Sequence, residues 1–346
     1  MRSCFIILFA VTFAVSPSLS QAQGPSLRFG NEIPPEVETI YDRGLTFLSG
    51  SQNEDGTWRS RSEHGITGLC LMAFLASGED PNFGTYRNNI KRAVRALIIG
   101  QNRDSGFFPN SMYHHGFAML ALAEAYGVID EATLWDGTEG KNEKRSIAES
   151  LEGAIALTAK AQAANRWGAW RYSPTSTDAD TSVTGSILMG LLACRNAGIA
   201  VPDEVIDTAL NYMQRNTASS GFVAYSGGIG AGGESMARSA VASLVYAVGH
   251  KRDWEEYEAS LDHITERLEQ RDSAHPHYFS YYMAQALFQG DPEAWEKWNR
   301  NTARYLAEQQ ADNGSFAGSY GESYGTAMSL LAMALNYRFL PIYERF

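Results

Sequence analysis

Two short stretches of the sequence carry side chains that could hold a metal ion or transfer a proton. Asp178 and Asp180 lie in "DADTSVTG", just before an apolar run, and His114 and His115 lie in "YHHGFAMLALA", at the start of another. Carboxylate and imidazole groups bind divalent metals, and histidine exchanges protons near neutral pH. Asp178, Asp180 and His115 are therefore candidate catalytic residues and candidate ligands of a divalent metal such as zinc.

Further polar and aromatic residues occupy similar positions, each near the start of an apolar run. Five of the seven histidines lie there, namely His64, His114, His115, His275 and His277. The residues that we expect to contact a ligand are Tyr113, His114, Trp170, Tyr172, Glu234, His277, Tyr320 and Glu322. The tyrosines that accompany them are Tyr225, Tyr278 and Tyr324.

A purely structural role competes with each of these assignments. A carboxylate placed before a helix accepts hydrogen bonds from unpaired N–H groups and complements the helix dipole, which is worth about 1 kcal/mol. This alternative applies to Asp178, Asp180 and Glu234. His114 and His115 are adjacent, so on a helix their side chains point about 100° apart and at most one of them faces a given direction.

The candidate residues follow a turn that recurs along the chain, beginning with "QNEDGTW" at residues 52–58. Its counterparts are "QNRDSGFF" from Gln101, "QAANRWGAW" from Gln162, "QRNTASSGFVAY" from Gln214 and "QADNGSF" from Gln310. Each joins a glutamine to a glycine and an aromatic residue, and Gln270 marks a degenerate copy without that ending. Recurrence at a roughly fixed spacing indicates repeated structural units.

One helix is predicted on each side of every turn. The helix before the glutamine is amphipathic, as in "PDEVIDTALNYMQR", which is typical of a surface helix. The helix after the turn is apolar nearly all round, as in "GITGLCLMAFLASG", and must be buried on most sides. The sequence therefore predicts an all-α fold of outer and inner helices in pairs.

The pairs favour a closed ring, a single (α/α)6 toroid with six inner helices surrounded by six outer ones. An open array needs polar capping units at its ends, whereas this chain ends on the apolar "MSLLAMALNYRFLPIYERF". All inner helices would then run in the same direction, with their N-termini and the candidate residues on one rim of a central cavity. The approximate pairs are residues 36–80, 85–127, 146–198, 203–249, 255–290 and 295–340.

These turns resemble the repeats of the squalene–hopene cyclases and of the protein prenyltransferase β subunits, the α/α-toroid superfamily. The likeness covers most of the chain and is strictest at Gln52, Gly56 and Trp58. It implies that the glutamine and the aromatic residue tie each outer helix to the next inner helix. It makes a terpenoid or prenyl substrate one of the alternatives for the central cavity.

The catalytic motifs of that superfamily are incomplete in this chain. The cyclases use Asp-x-Asp-Asp followed by Thr, and here Asp178 and Asp180 match its first and third positions while Thr181 replaces the fourth. The prenyltransferases hold zinc with an Asp-x-Cys pair, a spacing that Asp178 and Asp180 copy without a cysteine. The resemblance therefore supports the fold more strongly than it supports a catalytic activity.

Three functions remain open on the sequence alone, and it does not decide whether the protein is an enzyme. The first is a protein that binds a small-molecule, lipid or glycan ligand in the central cavity without catalysis. The second is an enzyme on a prenyl or terpenoid substrate, with Asp178 or Asp180 as acid or metal ligand. The third is a carbohydrate-active (α/α)6 lyase or hydrolase, which needs a polar, open cleft with suitably placed carboxylates or a tyrosine and a histidine.

The N-terminus predicts export. Arg2, an apolar run at residues 5–15 and the small residues that end at Ala22 form the pattern of a signal peptide over residues 1–22. The remaining residues, 23–346, are expected to form one toroid domain. No later stretch has the length and apolar character of a transmembrane segment.

Charge and cysteine content narrow the choice of partners. The net charge of −11 argues against binding to nucleic acid, whose phosphates would be repelled. Cys70 and Cys194 lie inside apolar helical runs, which favours buried thiols over a disulfide.

Overall fold

The computed structural model of the protein describes residues 33–59, 63–138, 144–228, 233 and 235–343. These residues form twelve α-helices and no β-strand. The outer helices are α1 (Pro35–Ser51), α3 (Arg87–Gly100), α5 (Ile147–Ala163), α7 (Asp203–Arg215), α9 (Glu255–Thr265) and α11 (Pro292–Gln309). The inner helices are α2 (His64–Leu75), α4 (Met112–Ala125), α6 (Thr181–Asn196), α8 (Met236–Val248), α10 (Pro276–Gly290) and α12 (Glu322–Met333).

The inner helices form a closed ring. Going round it, each of α2, α4, α6, α8, α10 and α12 packs against the next, and α12 packs against α2. Helix α1 packs against both α11 and α12, so the last helix pair adjoins the first. The predicted all-α (α/α)6 toroid is thereby confirmed.

The two layers differ in burial as their sequences predict. Every residue of α2 is buried, because this helix is surrounded by neighbours. Helix α7 buries one face only, made of Val205, Ile206, Ala209, Leu210, Tyr212 and Met213. Removal of these apolar faces from water is the main force that holds the outer layer on the inner one.

A glutamine in each of four recurring turns joins neighbouring outer helices. The side-chain amide of Gln101 donates to the carbonyl of Gly106 in its own turn and to that of Ser150 in α5, both at 2.8 Å. The same pair of bonds, to the turn glycine and to the next outer helix, is made by Gln52, Gln162 and Gln310. We call this pair of bonds the glutamine bridge.

The glutamine bridge also closes the circle, since Gln310 reaches the carbonyl of Ile40 in α1 at 3.0 Å. The other two turns depart from it. The amide of Gln214 donates to the carboxylate of Glu256 at 3.1 Å, and the side chain of Gln270 is exposed. The degenerate copy noted in the sequence therefore lacks the bridge.

The turn glycines allow two backbone segments to touch. Gly106 has φ 76°, and a Cβ added to it would lie 2.0 Å from the carbonyl oxygen of Gly153 in α5. Any side chain at this position would both strain the backbone and push the outer helix away. The turn glycine thus allows close contact with the next outer helix in the five turns that contain it, at Gly56, Gly106, Gly168, Gly221 and Gly314.

Three further predictions from the sequence concern the signal peptide, the two cysteines and membrane-spanning segments. Residues 1–22, the expected signal peptide, lie outside the described residues. Cys70 and Cys194 are buried thiols and are not joined in a disulfide. None of the described helices combines the length and the apolar character that crossing a bilayer requires.

Candidate functional site

A cavity of about 380 Å³ opens at the rim where the inner helices begin. All six inner helices, or the turns before them, contribute to its wall. Its apolar part includes Ile66, Leu69, Phe117 and Met328. Its tyrosines are Tyr113, Tyr172, Tyr225, Tyr278, Tyr320 and Tyr324. Its polar side chains include Glu63, His114, Asp180, Ser182 and Arg238.

Several of the tyrosine rings of the cavity wall pack against one another. The ring of Tyr278 lies 6.0 Å from that of Tyr113 and 4.7 Å from that of Tyr282, both edge-on. Burial raises the pKa of Tyr113 and of Tyr278 well above the ordinary value, so both phenols stay neutral at physiological pH. Their hydroxyls can donate hydrogen bonds, but they are not available as phenolate bases.

Asp180 uses its two oxygens differently. Oδ1 caps α6, accepting from the backbone N–H groups of Ser182 at 2.7 Å and Val183 at 3.0 Å. Oδ2 is buried and accepts no hydrogen bond from the residues that the structure describes. The nearby hydroxyl of Tyr225 pairs instead with that of Tyr172, at 2.9 Å. Asp180 is therefore a helix cap with one uncommitted oxygen beside the cavity.

Arg238 holds the turn before α8 against the cavity wall. Its Nε donates to the carbonyl of Val223 at 2.9 Å, and its Nη2 donates to that of Gly233. Its guanidinium lies 5.8 Å from the ring centroid of Tyr225. Burial lowers the pKa of Arg238, and the charge of Asp180 opposes that effect. Arg238 and Asp180 thus bring opposite charges to the same side of the cavity.

His114 lies in the cavity wall as a neutral imidazole. The backbone N–H of Gly65, in the first turn of α2, donates to its Nδ1 at 3.1 Å. Its Nε2 lies 3.3 Å from the side-chain amide of Asn110. Burial lowers its pKa to about 4, so the ring is uncharged at neutral pH. His114 links α4 to the start of α2 and presents no charge to a ligand.

His115 faces away from the cavity, because one step along a helix turns the side chain by about 100°. It is completely buried, between α4 and α5. The N–H of Phe108 donates to its Nδ1 at 3.2 Å, and its Nε2 bonds with Thr158 Oγ1 at 3.0 Å and with the carbonyl of Ala154 at 3.3 Å. Both ring nitrogens are engaged within the core.

The three residues suggested as metal ligands are not brought together. Asp178 points to solvent, with 55% of its side chain exposed, and pairs with Arg171. His115 is enclosed in the core, while Asp180 caps α6. Within the part of the chain that the structure describes, no group of three or more His, Cys, Asp or Glu side chains is arranged to hold a metal ion.

Three other expected ligand contacts lie outside the cavity wall. Trp170 is buried, and its indole N–H donates to the carbonyl of Thr158 at 3.0 Å. His277 bonds with the carbonyl of Ala317 at 2.7 Å and thereby joins α10 to the turn before α12. Glu322 is exposed and accepts a hydrogen bond from the hydroxyl of Ser315 at 3.1 Å.

The cavity wall does contain five of the suggested residues. They are Tyr113, His114, Tyr172, Asp180 and Tyr320. Glu234, another of them, lies outside the described residues.

Sequence reasoning missed five polar residues of the wall, Glu63, Ser111, Ser182, Ser235 and Arg238. Arg238 had a usable signal, since it is the one charged residue in the apolar helix "MARSAVASLVYAV". Glu63 precedes His64 and forms an ion pair with Arg59 at 3.1 Å. The residues around Glu63 resemble those of an ordinary solvated turn, so the local sequence does not mark Glu63 as part of a cavity wall.

Comparison with known proteins shows similarity at the level of structure. No protein-family model matches the sequence, and no curated protein matches it either. A variant of the type II terpene cyclase MstE from Scytonema, bound to geranylgeranyl dihydroxybenzoate, is similar at 14% identity and a TM-score of 0.60, over 88% of this chain and 98% of that one.

An inactive variant of an α-1,6-mannanase from Salegentibacter, in complex with an α-1,6-linked mannose oligosaccharide, is similar at 9% identity. Its TM-score is 0.62, over 88% of this chain and 100% of that one. At such low identity the likeness concerns the fold. The chain therefore has the (α/α)6 toroid fold, which in solved structures houses both a terpene cyclase and a mannanase.

Proposed function

We propose that the protein binds a small, mostly apolar molecule in its central cavity, with the polar part of that molecule at the rim. The observation that carries this proposal is the apolar and aromatic wall around Leu69, Phe117, Tyr278 and Met328 in an open cavity. Leu69, Phe117 and Met328 are already almost fully covered, so the accessible apolar surface of the cavity comes from rings such as those of Tyr172 and Tyr320, and a ligand that covers these rings removes apolar area from water. His114, Asp180 and Arg238 supply the polar groups that would orient the ligand.

The same wall favours a lipid or terpenoid ligand over a glycan. Each sugar hydroxyl that leaves water needs a hydrogen-bond partner, and Ile66, Leu69, Phe117 and Met328 offer none. The mannanase likeness supports a glycan only through the shared fold. We therefore rank the glycan ligand below the apolar one.

Binding can be tested by displacement of a fluorescent apolar probe, anilinonaphthalene sulfonate, with isoprenoid alcohols and with mannose oligosaccharides. Leu69→Trp fills the cavity and should abolish probe binding. Ile99→Trp adds the same group to the exposed side of α3, where Ile99 is 48% exposed, and should bind like the parent protein.

Equal probe binding by the two tryptophan variants would refute a ligand in this cavity. Displacement by oligosaccharides but not by isoprenoid alcohols would replace the apolar ligand with a glycan. Because tryptophan in the core could prevent folding, Ala237→Leu serves as a milder filling variant, since Ala237 also lines the cavity.

A second candidate function is catalysis on a prenyl or terpenoid substrate, with Asp180 as proton donor. The uncommitted Oδ2 of Asp180 favours it, since a carboxyl that already caps a helix with one oxygen can still carry a proton on the other. Asp180 has no exposed surface, so a substrate would reach it only after neighbouring side chains move.

The test of catalysis is incubation with linear isoprenoids and detection of cyclised products by mass spectrometry. The parent protein should form products and Asp180→Asn should form none, although it still binds the substrate. Equal turnover by both would exclude Asp180 as the acid.

We also infer that the mature chain is exported, because Arg2, the apolar residues 5–15 and Ala22 match a signal peptide. Expression with the full leader followed by mass spectrometry of the N-terminus tests this. Cleavage after Ala22 is expected, whereas a retained leader on protein kept inside the cell would contradict export.

A further inference from the structure

The end of the ring opposite the cavity is crossed by the chain that follows α12. We call residues 337–342 the C-terminal strap. The guanidinium of Arg338 lies 5.0 Å from the ring of Phe288 in α10. The ring of Phe339 packs on Gly78, just after α2, where an added Cβ would lie 2.0 Å from it. The short helical turn Pro341–Tyr343 contacts α6. The strap therefore touches several inner helices near their C-terminal ends.

The strap covers a carboxyl group. Glu124 lies in the last turn of α4 and is 3% exposed. Its Oε2 accepts a hydrogen bond from the backbone N–H of Ile342 at 3.3 Å. Leu340 and Ile342 of the strap are themselves buried, at 2% and 1% exposed. No other hydrogen bond joins this carboxyl to the described part of the chain.

The surroundings of Glu124 offer it little compensation for a negative charge. Burial raises its pKa to about 8, against the smaller opposing effect of the Ile342 amide. Among the described residues, Cys194 in α6 and Tyr281 in α10 sense its charge, and burial raises the pKa of both, so they are neutral when Glu124 titrates. The charged residue of the strap, Arg338, is stacked on Phe288.

We propose that the C-terminal strap is a pH-sensitive latch, which lies closed across the ring while Glu124 is uncharged and lifts when Glu124 ionises. A buried carboxylate with one weak donor is unfavourable, and hydration restores the lost interactions. Lifting the strap hydrates Glu124 without moving an inner helix, whereas α4 is held between α2 and α6. This latch is independent of the ligand proposed for the cavity.

Limited digestion with trypsin tests the latch, since trypsin cleaves after Arg338 only when the strap leaves the ring. The release of residues 339–346 is followed by mass spectrometry at about pH 7 and about pH 9, normalised to hydrolysis of a small peptide substrate. We expect about tenfold faster release at the higher pH. Equal normalised rates would overturn the proposal.

Two variants separate Glu124 from other groups that titrate in this range. Glu124→Gln keeps an acceptor for the Ile342 amide but cannot ionise, so its normalised release should stay slow at both pH values. Glu308→Gln removes an exposed carboxyl from α11 and should respond like the parent. A Glu124→Gln variant that still accelerates would show that another group controls the strap.

A measurement on the unaltered protein guards against a variant that fails to fold. Hydrogen exchange of the Ile342 amide, corrected for its intrinsic pH dependence, should lose protection by about tenfold between the same two pH values, while amides in the middle of α4 keep theirs. Loss of protection throughout the chain, or none at Ile342, would refute a local latch.

Discussion

At the scale of single residues, the different roles of the two carboxylate oxygens of Asp180 give a direct prediction. Asp180→Ala removes the cap of α6 and should lower the free energy of unfolding by about 1 kcal/mol. Asp180→Asn should leave it nearly unchanged, because its amide oxygen still accepts from Ser182 and Val183. Urea unfolding at constant pH measures both.

Asp291 supplies the matched control. It caps the outer helix α11 by the same pair of bonds, to the N–H groups of Glu293 and Ala294. Its Ala and Asn variants should reproduce the stability pattern while leaving ligand binding and turnover unaltered. If Asp180→Asn proved as unstable as Asp180→Ala, Oδ2 would have a structural partner and the uncommitted oxygen would be an incorrect description.

Which residues face the cavity could be predicted from the sequence only to within one helical position. His114 lies in the wall and His115 in the core, and similarly Tyr278 lies in the wall while His277 bonds to Ala317. Both pairs begin an inner helix, and the sequence marks the rim without giving the rotation of each helix. That rotation is set by packing against two neighbouring helices, which a local pattern does not contain.

At the scale of the elements, a glycine in a glutamine turn, Gly106, should tolerate substitution far less well than Gly198, which lies just after α6. Gly106 and Gly198 both have positive φ, 76° and 83°, but an added Cβ meets the Gly153 carbonyl at 2.0 Å in the first case and nothing within 4 Å in the second. Gly198→Ala should therefore cost about 1 kcal/mol of backbone strain. Gly106→Ala should cost about 3 kcal/mol or more, as seen by urea unfolding. Equal losses would mean that the outer helices are not held in contact.

The glutamine bridge gives a second prediction at this scale. Gln101→Ala leaves the carbonyls of Gly106 and Ser150 without their donor and should cost about 2 kcal/mol or more. Gln270→Ala, at one of the two turns without the bridge, should stay within about 0.5 kcal/mol of the parent. Thermal unfolding of both variants measures the contrast, and a similar loss at Gln270 would contradict a specific role for the bridge.

The bridge was predictable in part because it is local. Gln52, Gln101, Gln162 and Gln310 each bond a glycine four to six residues ahead, a spacing that the sequence shows directly. The second bond of each bridge, and the carboxylate partner of Gln214, come from the next outer helix. Those partners depend on the position of a whole helix, so the turn alone could not identify them.

At the scale of the molecule, buried groups should set the pH of greatest stability. His114 and His115 have pKa values lowered by burial from 6.5 to about 4, so the folded state binds fewer protons than the unfolded state between these values. Stability from these groups is therefore complete above about pH 6.5 and is lost as the pH falls towards 4. Between about pH 7 and pH 5, His115 alone should cost about 2 kcal/mol.

Glu124 acts in the opposite direction, since its pKa is raised to about 8 and the folded state holds its proton longer. Its effect destabilises the folded state as the pH rises from about 4.5 towards 8. The two contributions together place the maximum near pH 6.5, as urea unfolding across pH should show. His115→Gln should reduce the loss of unfolding free energy on the acid side of the maximum, and Glu124→Gln should reduce the loss on the alkaline side. If neither variant changes the dependence of unfolding free energy on pH, these two residues do not set the maximum.

The closed ring was predictable from its apolar last unit, but the strap was not. The ending "MSLLAMALNYRFLPIYERF" indicates burial, and Leu340 and Ile342 are indeed buried. These two buried residues lie in the strap and not in a helix pair. A short apolar segment has no period long enough to tell these cases apart.

The bond from Gln310 to Ile40 means that no helix pair of this ring is terminal. In an open repeat array an end unit can unravel while the rest stays folded, because each unit depends on one or two neighbours in a line. Here every pair has two neighbours, so opening any junction weakens the circle as a whole. We expect cooperative, all-or-none unfolding, in which the first and last helix pairs are as well protected as those between them.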